Sequence, residues 1–463
     1  MLIYVYMANE LHRKTKLKMS PAMFILLGFA SIILVGAFLL CLPISNTSGE
    51  WIPFIDALFT STSSVCVTGL MVFDVAIELN LFGQIIVMFL IQIGGLGFVA
   101  ITSLLFLLLG KKIDYATRLT LQQSLNKEDT QGVVKTVVFV LVATLVCEFV
   151  GFLVLAPSMI EFSGSFGSGF FKAMFLSISA FCNAGFDPLG IATPEFSNLA
   201  YFADKCWVLI PVMFLIVIGG IGFIVVIDLF ARSKKRKKLN LHTRVVLWVT
   251  GILIFAGAGL ILALEWNNPK TLGNLSTGNK IVNAFFQSVT TRTAGFATFD
   301  QSAMNPVTVI ICEILMFIGG SPASMAGGLK TTTIFVLLLF MFKSSDQHGS
   351  IIYKNKKLPY ALLSKAMKIF LIAIGSLIVG TTLIYLFEGG VFSLDSIIYE
   401  CISAICTVGL SFGITPLLGV GSKLVLSLMM FMGRIGMLTI PLAFKIKNQT
   451  AGIEYPDAKI TVG

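Results

Sequence analysis

Val65-Cys66-Val67-Thr68-Gly69-Leu70 returns three times along the chain in altered form: as Phe181-Cys182-Asn183-Ala184-Gly185-Phe186, as Thr291-Arg292-Thr293-Ala294-Gly295-Phe296 and as Cys406-Thr407-Val408-Gly409-Leu410. The four glycines lie 116, 110 and 114 residues apart. Each is followed by a large apolar residue, and ten positions before each stands an aromatic one, Phe59, Phe175, Phe285 or Tyr399. Four matches in register mark an internal repeat. A second landmark, Ile93-Gly94-Gly95-Leu96-Gly97-Phe98, recurs as Ile218-Gly219-Gly220-Ile221-Gly222-Phe223, Ile318-Gly319-Gly320-Ser321-Pro322 and Met432-Gly433-Arg434-Ile435-Gly436.

Uncharged runs near the ~20 residues that cross a bilayer surround these landmarks, at roughly 22–42, 83–109, 136–156, 206–227, 245–264, 306–341, 369–387 and 424–444. The glycine turns fall between the members of successive pairs, in segments too short and too rich in Ser, Thr and Gly for an ordinary crossing. The unit is therefore span, half-helix, glycine turn, span. Each unit crosses an even number of times, so all four share one orientation and inverted repeats are excluded. The expected fold is an all-α polytopic membrane protein of four tandem span–pore-loop–span repeats, with pseudo-fourfold symmetry around a central pore. The repeats are expected at 19–110, 111–232 (with a preceding cytoplasmic linker), 233–343 (with a broken gating helix) and 344–463 (with the C-terminal tail).

Composition agrees. Of 463 residues 56% are hydrophobic and 12% charged, half the charge of a typical soluble domain, which excludes a water-soluble globule. The eight cysteines form no C-x-x-C pair, so neither a disulfide framework nor a zinc site is indicated. With both termini cytoplasmic, 25 of the 33 Lys and Arg fall on the inner face, six outside, and Lys330 and Arg434 within spans. Acidic residues including Asp74, Glu78, Glu161, Asp187, Glu195, Asp300, Glu388 and Asp395 lie outside, an arrangement that would concentrate cations at an outer mouth. The run Lys234-Lys235-Arg236-Lys237-Lys238 reads as a topology determinant and a contact for anionic membrane lipids; without interleaved aromatics it does not indicate nucleic acid.

Glycine tolerates positive φ, so successive carbonyls of a turn can face one side. Four such strands make rings of oxygens that replace the water around a monovalent cation, with the negative ends of the half-helices aimed at the same place. The expected filter residues are Val67, Thr68, Gly69, Asn183, Ala184, Gly185, Thr293, Ala294, Gly295, Thr407, Val408 and Gly409, with the cation held by backbone carbonyls alone. No Asp or Glu occurs in the four turns, which disfavours a carboxylate filter. Arg292 breaks the pattern; it is expected to turn behind its loop and pair with a carboxylate, Glu400.

As one helix, residues 305–342 would stretch about 57 Å at 1.5 Å per residue against a core of roughly 30 Å, so this span must break. Gly319, Gly320, Ser321, Pro322, Ala323, Ser324, Met325, Ala326, Gly327, Gly328 and Lys330 mark the break and form the expected gate segment, with Arg434 raising a barrier beside it or anchoring it. No catalytic set is found: His12, His242 and His348 all lie in the tail or linkers, and Gly164–Gly169 misses the spacing of a dinucleotide loop, so the chain reads as no enzyme and as carrying no cofactor.

On the four turns, the break at 319–330 and Arg434, the whole chain resembles the Trk/Ktr/HKT superfamily of potassium transporters, and within it the KtrB family of membrane subunits of bacterial Ktr systems. That resemblance implies potassium uptake across the bacterial cell membrane, a homodimer with one pore per protomer, an intramembrane gating loop, and glycine at the first filter position of potassium-selective members, which Gly69 matches. It also implies a cytosolic ring of KtrA-type subunits binding ATP, ADP or NAD(H), and sodium as an activator. The cytoplasmic linkers around 112–132, 232–243 and 344–360 are where such a partner would touch, and the short tail would serve dimer contacts. The competing reading is an alternating-access cation symporter, marked by saturating flux without channel-like conductance.

Overall fold

The computed structural model describes residues 20–97, 133–190, 196–235, 238–343 and 350–440. The expectations placed on linker 112–132, on His12 and His348, on Glu195 and on the tail beyond residue 440 lie outside these residues.

Four units follow one another. The first is α1 (Pro21–Cys41), short α2 (Phe54–Cys66) and α3 (Leu81–Leu96). The second is α4 (Val133–Ser163), α5 (Phe166–Cys182), α6 (Cys206–Gly220) and α7 (Phe223–Lys235). The third is α8 (Leu241–Glu265), α9 (Thr277–Thr290), α10 (Pro306–Phe317) and α11 (Thr331–Phe342). A small antiparallel hairpin, β1 (Ile351–Tyr353) and β2 (Lys356–Leu358), pairs Ile351 with Leu358 and leads into the fourth: α12 (Tyr360–Phe387), α13 (Leu394–Ile405) and α14 (Val420–Ile435). The chain is an all-α polytopic membrane protein. Helices α1, α4, α8 and α12 are long and apolar enough to cross a bilayer, and their outer faces expose residues such as Val35, Phe38, Trp248, Phe255, Ile378 and Val379, as a lipid-facing surface does.

Two of the short helices, α9 and α13, start where a serine side chain caps them. Ser276 accepts from the Asn279 N–H and Ser393 from the Ser396 N–H. At 12 to 17 residues the short helices reach only about 18–26 Å, too little to cross. They form the centre of the molecule instead, and Phe59, Phe175, Phe286 and Tyr399 on them are fully buried. In the third unit the buried aromatic is thus Phe286 rather than the expected Phe285, whose ring meets Phe255 edge-on. Its serine counterpart is displaced too: Ser61, Ser177 and Cys401 stand eight residues before the glycine, Ser288 seven.

Each short helix is seated by a device that the hydrophobic pattern does not announce. Ser61, Ser177 and Ser288 donate to carbonyls of the long helices at Ile33 (2.8 Å), Glu148 (2.6 Å) and Ile254 (2.9 Å). Three residues further along those helices, Gly36, Gly151 and Gly257 leave room for the serines. A methyl group there would stand 2.8, 2.7 and 2.9 Å from Leu90, Leu215 and Leu315 of the third helix. Small residues allow this close approach where lipid supplies no hydrophobic drive between helices. The fourth unit substitutes Gly380 and Met429.

The second landmark sets the depth of the following helix. A methyl group on Gly94, Gly219 or Gly433 would overlap the carbonyl oxygen of Val65, Phe181 or Ile405, at the end of the neighbouring short helix. Alanine at Gly94 is therefore expected to cost about 1–3 kcal/mol as an overpacked backbone contact. Alanine at Gly251, where a methyl group meets nothing within 4 Å, is the control. Thermal unfolding in detergent checks the pair, and equal midpoints would contradict this packing.

The landmark also ends the helices that run into it. Helix α3 stops at Leu96 before Gly97 (φ 84°), and α14 at Ile435 before Gly436 (φ 99°). Helix α6 stops at Gly220 and α7 departs at 94°. The cause in the second unit is specific: Gly222 (φ 96°) lies against the Pro322 carbonyl, and the Phe223 N–H leaves the helical ladder to donate to the Ala323 oxygen at 2.8 Å.

Candidate functional site

Each short helix ends in a turn of the same construction. Two residues before the glycine the backbone is left-handed, at Val67 (φ 55°), Asn183 (60°), Thr293 (68°) and Thr407 (50°). Three of these four are β-branched, a costly choice that clusters at functional sites. The next N–H folds back onto the helix: Thr68 to Ser63 O, Ala184 to Ser179 O and Val408 to Ser403 O at 2.8 Å, Ala294 to Thr290 O at 2.9 Å. Then come Gly69, Gly185, Gly295 and Gly409, with φ of 97°, 75°, 78° and 99°. Two serines inside the helices tighten the turn, Ser63 Oγ accepting from Gly69 N–H at 3.1 Å and Ser403 Oγ from Gly409 N–H at 3.0 Å. Leu70, Phe186, Phe296 and Leu410 lock the far side, all buried.

The four glycines meet. A methyl group on Gly69 would lie 2.6 Å from the Ala184 oxygen, and one on Gly185 2.9 Å from the Ala294 oxygen. One on Gly295 would overlap the Val408 oxygen, and one on Gly409 the Thr68 oxygen. First touches second, second third, third fourth, and fourth first: a closed cycle in chain order, with main-chain oxygens at every junction. The hydroxyls of Thr68, Thr293 and Thr407 are buried there and make no hydrogen bond among the described residues.

Beneath the cycle, residues 318–330 leave helical structure and run under the turns. Ile318 and Leu329 bridge as parallel backbone, so the chain enters and leaves at one level. Between them, Ser321 N–H donates to Gly220 O (3.1 Å) and Met325 N–H to Gly219 O (3.0 Å), while Ala323 O receives Phe223 N–H. Gly327 sits against the Thr407 hydroxyl and Cys406 oxygen of the fourth turn. Lys330 Nζ donates to the Ala326 (2.6 Å) and Gly327 (3.1 Å) oxygens, turning its charge onto the segment itself. The Arg434 guanidinium reaches across to the Met325 oxygen and to the carbonyls of Gly94 and Gly95, the last at 2.9 Å. Remaining members of the segment, Gly319, Gly320, Pro322, Ser324 and Gly328, form its bends, with Ser324 donating to Ser321 O at 2.7 Å.

Arg292 does turn away from its loop, but not to Glu400. It is buried beside Ile216, Val217, Ile254, Gly220 and Gly320, with Thr250 Oγ1 3.4 Å from Nη2. The Glu400 carboxylate is already occupied by the hydroxyls of Ser411 (2.5 Å) and Thr415 (2.9 Å) and the Phe412 N–H (3.2 Å). Glu148 joins Gln92 (3.2 Å) and Cys182 (3.7 Å) where the first two units meet.

Two of the acids expected at an open mouth are internal. Asp74 accepts from the Ala76 (2.9 Å) and Phe196 (3.1 Å) N–H groups. Asp187, in the loop past the second turn, accepts from Leu189 N–H; burial, and then the Asp74 carboxylate, push its carboxyl up to about 7.

Compared with known proteins, residues 11–454 match the TrkH family model, described as a cation transport protein. The Ktr system potassium uptake protein B of Bacillus subtilis is 35% identical over 446 residues, 96% of this chain and 97% of that protein. The potassium/sodium uptake protein NtpJ of Enterococcus hirae is 36% identical over 458 residues, 97% and 99% of the two chains. Among solved structures, the potassium transporter TrkH of Vibrio parahaemolyticus superposes with a TM-score of 0.73 at 18% identity, covering 93% of this chain and 86% of that one.

Proposed function

This chain belongs to the TrkH family of cation transport proteins, as a membrane transporter and not an enzyme, and from that premise we propose that it takes up K⁺ through the axis enclosed by its four glycine turns. The carrying observation is the closed cycle in which Gly69, Gly185, Gly295 and Gly409 each abut a main-chain oxygen of the next turn. In this reading the turns are the selectivity filter. The ends of α2, α5, α9 and α13 aim partial negative charge at a dehydrated monovalent ion, and backbone oxygens at Val67–Gly69, Asn183–Gly185, Thr293–Gly295 and Thr407–Gly409 stand in for its water. The segment 319–330 is the gate, lying across the same axis beneath the filter, with Arg434 as its anchor.

The outer mouth is the side on which the short helices begin, the termini are cytoplasmic and the membrane is the bacterial plasma membrane. The chain works as a homodimer with a cytosolic KtrA-type ring that binds ATP, ADP or NAD(H), and sodium activates it; that relatives are named as Ktr system proteins supports a partner subunit. Rubidium flux into vesicles holding the purified protein, competed with K⁺, Na⁺ and Li⁺, tests the reading. Expected is competition by K⁺ far ahead of Na⁺ and Li⁺. Equal competition by all three ions defeats the filter, and slow saturating exchange without conductance favours a symporter.

A further inference from the structure

Asn198 lies in the loop between the second turn and α6, and its backbone is left-handed (φ 49°). Its side chain is buried at 7% exposure and reaches two units at once. Oδ1 accepts from the N–H of Leu199 (2.9 Å) and of Ala297 (3.4 Å), while Nδ2 donates to the Gly185 carbonyl at 3.2 Å. Two N–H groups face one end of the amide and a carbonyl faces the other, so the partners fix which end is which. A left-handed turn explains an asparagine here, but not why the amide spans 13 residues to Gly185 and 99 to Ala297.

The contact also departs from the fourfold pattern. In the first and fourth turns the glycine is held through its N–H, by Ser63 and Ser403. The matching Ser179 hydroxyl of the second turn has no hydrogen-bond partner among the described residues. There the glycine is held through its oxygen instead.

We propose that Asn198 is a positioning residue for ion selection, fixing the direction and acceptor strength of the Gly185 carbonyl and tying the second turn to the third. Selection between alkali ions depends on how many carbonyl oxygens face the ion and how strongly each draws it. An oxygen engaged by an amide N–H neither swings inward to close on a smaller ion nor offers its full negative charge. This rests on the filter reading above.

Two variants separate the roles. Asn198→Gly keeps the left-handed backbone and removes the amide. Asn198→Asp keeps an acceptor for Leu199 and Ala297 and removes the donor to Gly185. Both are expected to lower the K⁺ over Na⁺ preference in rubidium-flux competition by about threefold to tenfold, the range one hydrogen bond commands. The thermal midpoint of the glycine variant should fall only modestly, because the Leu199 N–H keeps its bond to the Ala297 oxygen at 3.0 Å. If both keep the parent preference while Gly69→Ser loses it in the same vesicles, Asn198 has no such role and the filter stands. Unchanged preference in Gly69→Ser as well overturns the filter itself. Loss in the glycine variant alone assigns the effect to Ala297 and overturns the claim about Gly185. Should the aspartate variant not be recovered, the glycine variant still tests Asn198 in ion selection: loss of preference supports it and the parent preference overturns it.

Discussion

Serine at Gly69 is expected to reduce the preference for K⁺ over Na⁺ about tenfold or more, a change on the order of 1.4 kcal/mol or more between two ions of equal charge. The effect is steric before it is chemical. Gly69 holds φ at 97°, where an L-residue is strained by about 1–3 kcal/mol. Its new Cβ would stand 2.6 Å from the Ala184 oxygen and 3.1 Å from Gly185 Cα, and both are backbone atoms that cannot swing aside as a flexible side chain would. Either the first turn retreats or the second is displaced. In either case the two junctions that the moved turn makes are disturbed while the other two remain. A ring distorted on one side no longer surrounds K⁺ with a full set of oxygens, and the smaller ion can settle against those that remain. Alanine at the same position carries the same Cβ without the hydroxyl, so the steric account requires a comparable loss from Gly69→Ala. Rubidium uptake competed with graded K⁺ and Na⁺ reads both variants. Parent-like preference in the two of them would remove Gly69 from the selecting ring.

What the chain disclosed beforehand follows from how each feature is encoded. The four turns were legible because a backbone that needs positive φ leaves glycine at fixed spacing, and the flanking apolar residues keep register with it. The break near Pro322 was legible because eight small residues and a proline within 319–330 exceed what a kink needs. The 94° departure of α7 was not, because its cause is external: Phe223 N–H is drawn off by Ala323, a hundred residues away in sequence. Phe286 replaces Phe285 because α9 meets its turn one residue out of step with its fellows, a shift that alignment on the glycine hides. Arg292 was assigned a carboxylate by charge alone, while Glu400 had closer hydroxyl partners in its own loop. The seats formed by Ser61 with Gly36 and by Ser177 with Gly151 join residues some 25 positions apart, where no periodicity points from one to the other.

Removing Ala323–Ala326 is expected to raise rubidium flux about tenfold, again on the order of 1.4 kcal/mol. Those four residues carry the fastenings that hold the segment in place: the Ala323 oxygen taken by Phe223, the Met325 N–H given to Gly219 and the Met325 oxygen held by Arg434. Without them, Arg434 keeps only the carbonyls of Gly94 and Gly95, and the second unit loses two of its three backbone ties to the segment. The fold should survive, because Ile318 and Leu329 lie side by side. The residues left between α10 and α11 therefore close a short gap, although as an extended chain they would reach roughly 30 Å. In the proposed reading selection is decided above the deletion, so the K⁺ over Na⁺ preference should stay at the parent value while the rate rises. That combination distinguishes a gate from a structural strut, since a strut removed from beneath the fourth turn would disturb Thr407 and degrade both properties together. Flux at the parent level in a folded deletion variant, with α10 and α11 intact by thermal unfolding, would show that ions pass the segment unhindered and that the resistance lies elsewhere.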